Sequence, residues 1–318
     1  MFKVMTWNVE NLFKPGHASG PQTQAVYDDK IQELASTIND QAPDALAVQE
    51  IGDPTTLDDL VKHLHGGTWH QRVSQHPDPR GIRVAWLTRR GILASEDILQ
   101  FPAHLKPVQV DDDSSLVAMG RGAVAITVQS SAGHSVRLVT THLKSKLLTF
   151  PGGRFQPHDE DERARFAAYA LYRRAAEAAT LRVWVSAALG GVDENRALIL
   201  TGDLNDTVQA ATTQLLLGPP GSEIHTPGFD QPDQGDHQRL WNLAPLMPAG
   251  KDYSRVNQGR KELIDHILVS AALIKPIAAV TVAAVIPQPL PSITTNPNAR
   301  RNAPTSDHAP VVATFANI

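Results

Sequence analysis

The stretch Ala197-Leu198-Ile199-Leu200-Thr201-Gly202-Asp203-Leu204-Asn205-Asp206 contains an apolar run of strand length that is interrupted by Gly202. This pattern predicts a buried strand that ends near the glycine. Residues two apart in an extended chain point the same way, so Asp203 and Asn205 are expected to converge just beyond the strand. Strand ends are a common place for catalytic groups in α/β proteins. Asp206 is instead typical of the N-cap of a helix, here over residues 207–217.

Length and composition limit the classes of protein. The chain has 318 residues with no change in composition that would mark a linker, so we expect a single domain over residues 1–318. A formal net charge of −4 argues against a protein that coats nucleic acid through bulk charge, but it is compatible with a local basic groove. Cysteine is absent, which excludes disulfides, thiolate metal sites and cysteine nucleophiles. Metal ligands would have to come from Asp, Glu, Asn and the 13 His.

The sequence also bears on location. No apolar run approaches the roughly 18 residues of a membrane span. The first residues form a strand pattern rather than a signal peptide. We therefore expect a cytoplasmic protein, or a secreted one if a leader has been removed. Nothing in the sequence indicates an oligomeric state.

Apolar periodicity predicts a mixture of strands and helices. Helices are expected over residues 28–39, 57–64 and 157–190. Strands are expected over residues 2–7, 44–48, 69–74, 82–87, 92–99, 123–128, 136–141, 197–201, 262–269, 278–285 and 311–315. Residues 218–235 and 287–305 are rich in proline or glycine and are typical of surface loops. Because strict strand–helix alternation is absent, the pattern favours a mixed sheet, or a pair of sheets, covered by helices.

Polar residues stand at the ends of several predicted strands. Those at strand exits are Asn8, Glu50, His142, Asp203 and Asn205, and Asp307-His308 precede the last strand. A mixed sheet can bring strand entries and exits to one edge, so we expect these side chains to meet. Each one alone has an ordinary structural explanation, such as a turn formed by Asn8 or by Asp307. Only their number argues against chance.

Asp265 lies inside the predicted strand 262–269. Alternation places it on the same face as Leu263, Ile267 and Val269. A carboxylate in such surroundings is costly to bury unless it is paired or hydrogen-bonded. His308 would be a suitable partner. A buried ion pair without a catalytic role is the alternative.

Six motifs, in order along nearly the whole chain, resemble those of the endonuclease/exonuclease/phosphatase superfamily. They are Thr6-Trp7-Asn8, Val48-Gln49-Glu50, Thr141-His142-Leu143-Lys144, Gly202-Asp203-Leu204-Asn205, Ile264-Asp265-His266-Ile267 and Ser306-Asp307-His308-Ala309-Pro310. The resemblance implies an α/β fold, a four-layer α/β/β/α sandwich of two packed mixed β-sheets flanked by helices, with the site at one edge. It also implies hydrolysis of a phosphoester that depends on a divalent metal, Mg²⁺ or sometimes Mn²⁺.

A hard cation prefers oxygen ligands, which Asn8, Glu50 and Asp307 would supply. By the resemblance, His308 is the general base and Asp265 orients it.

The resemblance assigns the remaining catalytic roles as well. His142 and Asn205 donate to the phosphate, and Asp203 positions the water or protonates the leaving group. Whether Asp203 or His308 accepts the proton stays open. In some members a glutamate ahead of the strand over residues 82–87 supports the first catalytic histidine, and here Asp78 is the nearby candidate.

Basic residues beside the predicted site bear on the substrate. Arg121 and Lys144 are assigned to substrate binding, although Arg121 could equally be a solvated turn residue. Further arginines near the site are Arg80, Arg83, Arg89 and Arg90. These cations favour a nuclease with DNA or RNA as its partner. The acidic net charge supports the alternative, a phosphatase or phosphodiesterase acting on a small-molecule or lipid phosphate. An inactive binding module is disfavoured because no motif residue is missing.

Overall fold

A computed structural model describes residues 1–191, 195–231, 236–274, 279–286, 289–294, 299–316 and 318. Its strands are β1 (Phe2–Leu12), β2 (Ala45–Ile51), β3 (His70–Val73), β4 (Arg83–Thr88), β5 (Ile92–Gln100), β6 (Val108–Gln109), β7 (Ser115–Leu116), β8 (Ala118–Gln129), β9 (Ser135–His142), β10 (Ala197–Asp203), β11 (Trp241–Asn242), β12 (Arg255–Asn257), β13 (Arg260–Glu262), β14 (Asp265–Val269), β15 (Val280–Ala284), β16 (Ser292–Ile293) and β17 (Val311–Phe315). Its helices are α1 (Gln24–Gln41), α2 (Thr55–Val61), α3 (Glu160–Leu189), α4 (Ala211–Gln214) and α5 (Ala271–Ile274). Parts of three predicted segments, residues 232–235, 278, 287–288 and 295–298, lie outside the described residues.

Twelve of the strands form two six-stranded sheets. The first has the order β15-β17-β1-β2-β4-β3, and the second has the order β11-β14-β10-β9-β8-β5. Each sheet is mixed, because β1 and β2 are parallel, β9 and β10 are parallel, and the other neighbours are antiparallel. The parallel pairs bring two strand exits to the same edge of each sheet.

The two sheets pack face to face through the largest hydrophobic cluster. Val4 and Trp86 of the first sheet are buried in it together with Leu138 and Ile199 of the second. Trp86 also donates from Nε1 to the carbonyl oxygen of Val124 on β8, at 3.1 Å. Burial of apolar surface contributes about 25 cal/mol per Å², so this inner layer, the largest of the described clusters, stabilises the sandwich substantially.

Helices cover the outer face of each sheet. Ile31 of α1 packs in one cluster with Leu46 of the first sheet. Leu181 of α3 packs in another with Leu200 of the second sheet. The predicted four-layer α/β/β/α sandwich is therefore confirmed. Within the described residues, none of the helices has the length and apolar character needed to cross a membrane.

The helix predicted over residues 207–217, with Asp206 as its N-cap, is wrong. α4 comprises only Ala211–Gln214, and Ala210 precedes it. The Asp206 carboxylate instead accepts from Nε of Arg174 at 3.1 Å and from the hydroxyl of Thr212 at 2.7 Å. Its Oδ1 accepts from the backbone N of Thr207, the next residue, at 3.2 Å, whereas the side chain of an N-cap binds the N–H two or three residues further along.

A third, three-stranded sheet has the order β13-β12-β16. β12 and β13 form a hairpin whose two turn residues, Gln258 and Gly259, have φ of 49° and 79°. Turns with two positive φ angles match the twist of paired strands. β16 lies within the segment 287–305, which the sequence predicts to be entirely loop. A strand of two residues has no measurable alternation, so its pattern could not reveal it.

Candidate active site

Three polar side chains stand in a row at the edge of the second sheet. His142 ends β9, Asp203 ends β10 and Asp265 begins β14. Asp203 is in register with both His142 and Asp265. Residues opposite each other on neighbouring strands project from the same face of a sheet. The strand order therefore brings together residues that are 123 positions apart (142 to 265) along the chain.

Gly202 permits this row to form. Its φ is +140°, and a Cβ atom at this position would lie 2.0 Å from the carbonyl oxygen of Thr141. Real Cβ atoms do not approach a backbone oxygen so closely. Only glycine therefore allows β9 and β10 to approach each other at the step that precedes His142 and Asp203.

The first sheet contributes Asn8 and Glu50 to the same place. The Asn8 amide lies between two carboxylates, and its Nδ2 donates to Oε1 of Glu50 at 3.2 Å and to Oδ2 of Asp203 at 3.0 Å. Glu50 has a φ of +66°, and its Oε2 accepts from the backbone N of Asn11 at 2.8 Å. These contacts join the ends of β1 and β2 to the row on the second sheet.

The segment before β17 adds Asp307 and His308. Nδ1 of His308 lies 2.7 Å from Oδ2 of the fully buried Asp265. The Ser306 hydroxyl donates to the carbonyl oxygen of Asn8 at 2.7 Å and accepts from the backbone N of His308 at 3.0 Å. Nε2 of His308 is 4.0 Å from Oδ1 of Asp307. Asp265 thus has the histidine partner that its buried position requires.

The electrostatic surroundings shift the pKa of two of these groups. Burial disfavours the cationic form of His308, but the carboxylates of Asp265 and Asp307 outweigh it and raise the pKa of His308 to about 10. Burial, followed by the negative charge of Asp265, raises the pKa of Asp203 to about 6. Asp203 can therefore carry a proton close to neutral pH, and in the metal-free protein His308 is held in its charged form by its two neighbours.

The pKa of His142 is shifted in the opposite direction from that of His308. Burial, followed by the charge of Arg121, keeps the pKa of His142 well below its ordinary value, so the imidazole is neutral at pH 7. Its Nε2 lies 3.4 Å from Oδ2 of Asp203, and its buried Nδ1 has no hydrogen-bond partner among the described residues. The suggestion that Asp78 supports His142 is wrong, because the Asp78 carboxylate accepts from Nε of Arg121 at 3.0 Å.

A cavity of about 370 Å³ is bordered by most of the predicted site residues. Those in its wall are Asn8, Glu50, Arg121, His142, Asp203, Asn205, Asp307 and His308. Asn205, with a φ of +53°, donates from Nδ2 to the carbonyl oxygen of Leu143 at 3.0 Å and from its backbone N to Oδ1 of Asp203 at 2.8 Å. Its second amide N–H makes no hydrogen bond among the described residues and is available to a ligand of the cavity. Asp265 does not line the cavity itself, but its carboxylate binds His308, which does.

Lys144 lies beside the cavity rather than in its wall. Its Nζ donates to the carbonyl oxygens of Ser145 at 3.0 Å and Leu147 at 2.9 Å. Burial, followed by the charge of Arg173, lowers the pKa of Lys144 to about 8. The structure therefore brings Arg121, but not the ammonium group of Lys144, to the predicted site.

Other residues of the cavity wall were not predicted from the sequence. Glu10 follows Asn8 by two residues, so strand alternation was a signal that could have identified it. Burial, followed by the charge of Asp307, raises the pKa of Glu10 to about 7. Arg300 contacts Glu10 at 3.0 Å, and Arg255 lies in the wall on β12. No sequence signal identifies these two arginines, because both lie in irregular or very short elements.

The polar groups of the cavity fit a divalent cation. The three predicted metal ligands all line it and provide carboxylate and amide oxygens, the donors that hard cations prefer. The ligand atoms of Asp203, Asp265 and His308 also lie within 4.8 Å of one another. Oδ1 of Asp265 is buried without a hydrogen-bond partner in the described part of the chain. An acceptor left unsatisfied in this way is unusual and indicates a cation or ordered water nearby.

A family model described as "Endonuclease/Exonuclease/phosphatase family" matches residues 5–308. The chain is thus a phosphoric ester hydrolase with a four-layer sandwich fold. It belongs to the endonuclease/exonuclease/phosphatase family, whose members include nucleases and phosphatases and depend on divalent metal ions.

Solved structures share the fold at low sequence identity. Truncated Caenorhabditis elegans TDP2 is 18% identical, with a TM-score of 0.57 over 99% of this chain and 97% of that one. The human Nocturnin catalytic domain with bound sulfate is 17% identical, with a TM-score of 0.55 over 99% and 94% of the two chains. A Bacteroides thetaiotaomicron mannosyl-6-phosphatase is 14% identical, with a TM-score of 0.55 over 99% of each chain. No curated protein sequence matches the chain significantly.

Proposed function

We propose that the protein is a metal-dependent phosphodiesterase, and specifically a nuclease that hydrolyses DNA or RNA through an activated water. The observation that carries the proposal is that His308, whose Nδ1 is held by Asp265, borders the same cavity as the carboxylates of Glu50 and Asp307. Basic residues around this cavity support a polyanionic substrate. They are Arg80, Arg121, Lys146, Arg255 and Arg300.

His308 is the general base of the proposed reaction. A cation held by Asp307 would offset one of the two carboxylate charges that raise the pKa of His308, so that the neutral imidazole becomes available. Its Nδ1 is bound by Asp265, so Nε2 is the atom that takes the proton from the attacking water. Asp265 fixes the tautomer and the orientation of the ring and stabilises the imidazolium that forms, as the aspartate does in serine hydrolases. Because Asp265 is fully buried, this orientation is well defined.

His142, Asn205 and Asp203 act on the phosphate and the leaving group. Neutral His142 and the second amide N–H of Asn205 donate to phosphate oxygens as negative charge develops on them. With its pKa of about 6, Asp203 is suited to protonate the leaving oxygen. This division leaves His308 as the proton acceptor and Asp203 as the donor.

Asn8, Glu50 and Asp307 would hold Mg²⁺ or Mn²⁺. When bound, such a cation stabilises negative charge on the phosphate and on the leaving oxygen. The Asn8 amide donates to Glu50 and to Asp203. It therefore orients both a proposed metal ligand, Glu50, and the proposed proton donor, Asp203.

The test is to incubate the purified protein with Mg²⁺ or Mn²⁺ and separately with plasmid DNA, single-stranded DNA, RNA and a generic phosphomonoester. We expect cleavage of at least one nucleic acid, and no cleavage by a His308→Ala variant. If only the phosphomonoester is hydrolysed, the nuclease proposal is wrong, and a phosphatase acting on a small-molecule or lipid phosphate takes its place.

A further inference from the structure

Arg255 lies on β12, directly beside the proposed general base. Its backbone forms an isolated antiparallel bridge with His308, and the backbone N of Ala309 donates to the carbonyl oxygen of Ser254 at 2.7 Å. The Ser254 hydroxyl also accepts from the backbone N of Asp265 at 3.1 Å. The β12–β13 hairpin is therefore fixed to both members of the His308–Asp265 pair.

The guanidinium group of Arg255 is mostly buried and incompletely paired. The side chain is 14% exposed, and its Nη2 donates to Oε2 of Glu262 at 2.8 Å. Its Nε is buried and has no hydrogen-bond partner among the residues that the structure describes. A buried donor without an acceptor is costly, and a residue of the cavity wall can find that acceptor in a bound ligand.

Arg255 and Arg121 lie on opposite sides of the row formed by His142, Asp203 and Asp265. Arg121 is on β8, next to β9 with His142, whereas the hairpin of Arg255 is fixed at the start of β14 with Asp265. Neighbouring strands are about 4.8 Å apart, so the three steps from β8 to β14 span roughly 14 Å. The two arginines therefore border the cavity from opposite sides of this row.

We propose that Arg255 is a substrate-binding residue that donates from Nε to a phosphate oxygen on the His308 side of the cavity. The inference rests on the proposed function, because it requires a phosphate group beside His308. Glu262 is a positioning residue in this arrangement, since it binds Nη2 and leaves Nε for the substrate. A planar guanidinium that binds two acceptors at once is well matched to this task.

The experiment compares Arg255→Ala and Arg255→Lys with a matched control, Arg260→Ala. Arg260 is exposed on the same hairpin, so its removal changes the net charge equally without altering the cavity wall. The measurements are kcat/KM on bis(p-nitrophenyl) phosphate and binding of inorganic phosphate by calorimetry, both with Mg²⁺ present. We expect Arg255→Ala to weaken both by about 10- to 100-fold, as for loss of a hydrogen bond to a charged group.

Arg255→Lys keeps the charge and the partner Glu262 but lacks the guanidinium fork, so an intermediate loss of about 5- to 30-fold is expected. Arg260→Ala should stay within about twofold of the unmodified protein, as surface substitutions usually do. Thermal unfolding of each variant separates loss of contact from loss of fold, and Arg255→Lys decides the matter if Arg255→Ala does not fold.

The inference would be overturned if phosphate binding and kcat/KM were equal in Arg255→Lys, Arg260→Ala and the unmodified protein. Arg255 would then be a partner of Glu262 only. Failure of the proposed function has a different signature. In that case the unmodified protein cleaves no diester, while the binding measurement still reports whether Arg255 contacts phosphate.

Discussion

Nδ1 of His308 lies 2.7 Å from Oδ2 of Asp265, and this contact joins the segment before β17 to the first residue of β14. If Asp265 orients the base, Asp265→Asn should lower kcat by about 10³- to 10⁴-fold, because an amide at this position favours the wrong tautomer of the histidine. The measurement is kcat on a diester substrate together with circular dichroism. Asp40→Asn, an exposed change of the same kind on α1, is the control and should leave kcat unaltered. Near-normal turnover by Asp265→Asn would make the pair purely structural.

The same contact predicts a pH dependence of stability in metal-free protein. The folded-state pKa of His308, about 10, lies above its ordinary value of 6.5, so the imidazolium stabilises the fold fully below pH 6.5. That stabilisation is lost as the pH rises through about 10. We expect the free energy of unfolding to fall over this window, and NMR of the histidine ring should show His308 still protonated at pH 8. A titration midpoint below pH 7 would contradict the prediction.

Much of this site was predictable because its residues lie at the ends of long, strongly apolar strands. Asp203 and His142 follow runs whose burial is evident from the sequence, and Gly202 marks the point where β10 can approach β9. Asp265 was identified by the opposite signal, a carboxylate on an apolar face. In each case the pattern of the strand determines which way the polar side chain must project.

Other features depend on contacts that no local pattern encodes. Arg255 reaches the cavity because a three-residue strand binds to the segment of His308, and strands so short have no periodicity. Asp206 has the sequence of a helix N-cap, yet its carboxylate binds Arg174 from a distant helix, and this tertiary contact overrides local propensity. Lys144 was predicted to bind substrate because it closely follows His142 in the sequence. Its ammonium group instead donates to the carbonyl oxygens of Ser145 and Leu147 and does not line the cavity.

Removal of the metal should separate activity from folding. A site with few protein ligands and several waters contributes little to folding compared with a closed structural zinc site. Excess chelator is therefore expected to abolish hydrolysis while the unfolding temperature falls by only about 1 °C, the shift expected for well under 1 kcal/mol in a chain of this size. Re-addition of Mg²⁺ or Mn²⁺ should restore turnover. Hydrolysis that persists in excess chelator would refute the metal-dependent mechanism.

Glu177 of α3 connects the helix to the active-site edge of the second sheet. Its carboxylate accepts from the backbone N of Lys144 at 2.7 Å and from that of Gly120 at 3.1 Å, and it is almost fully buried. Glu177→Ala would leave two partly buried N–H groups unpaired and remove the partner of Arg173, and it should destabilise the fold by about 2–4 kcal/mol. Chemical denaturation measures this loss. Glu33→Ala, an exposed change in the middle of α1, should stay within about 0.5 kcal/mol of the unmodified protein. Equal effects of the two changes would show that Glu177 does not anchor β8 and β9.

The substrate class can be tested through the salt dependence of binding, because each contacted phosphate releases condensed counterions. For duplex DNA the logarithm of the binding constant falls against the logarithm of salt concentration with a slope of roughly −0.9 per contacted phosphate. Arg121 lies in the cavity wall, so Arg121→Ala in a His308→Ala background should flatten this slope by about one unit for every base sequence. The measurement is fluorescence anisotropy of labelled DNA and RNA at several salt concentrations with Ca²⁺ present.

Two further variants complete the salt experiment. Lys144→Ala decides whether the ammonium group leaves the carbonyl oxygens of Ser145 and Leu147 to contact nucleic acid, because only then would the slope change. Lys3→Ala is the control, since Lys3 lies on β1 at the end opposite to Asn8 and should leave the slope unaltered. A small phosphomonoester has no flanking phosphates and should show only the mild effect of ordinary screening. If neither DNA nor RNA binds with a salt-dependent affinity while the unmodified enzyme hydrolyses a small or lipid phosphate, the nuclease proposal is wrong.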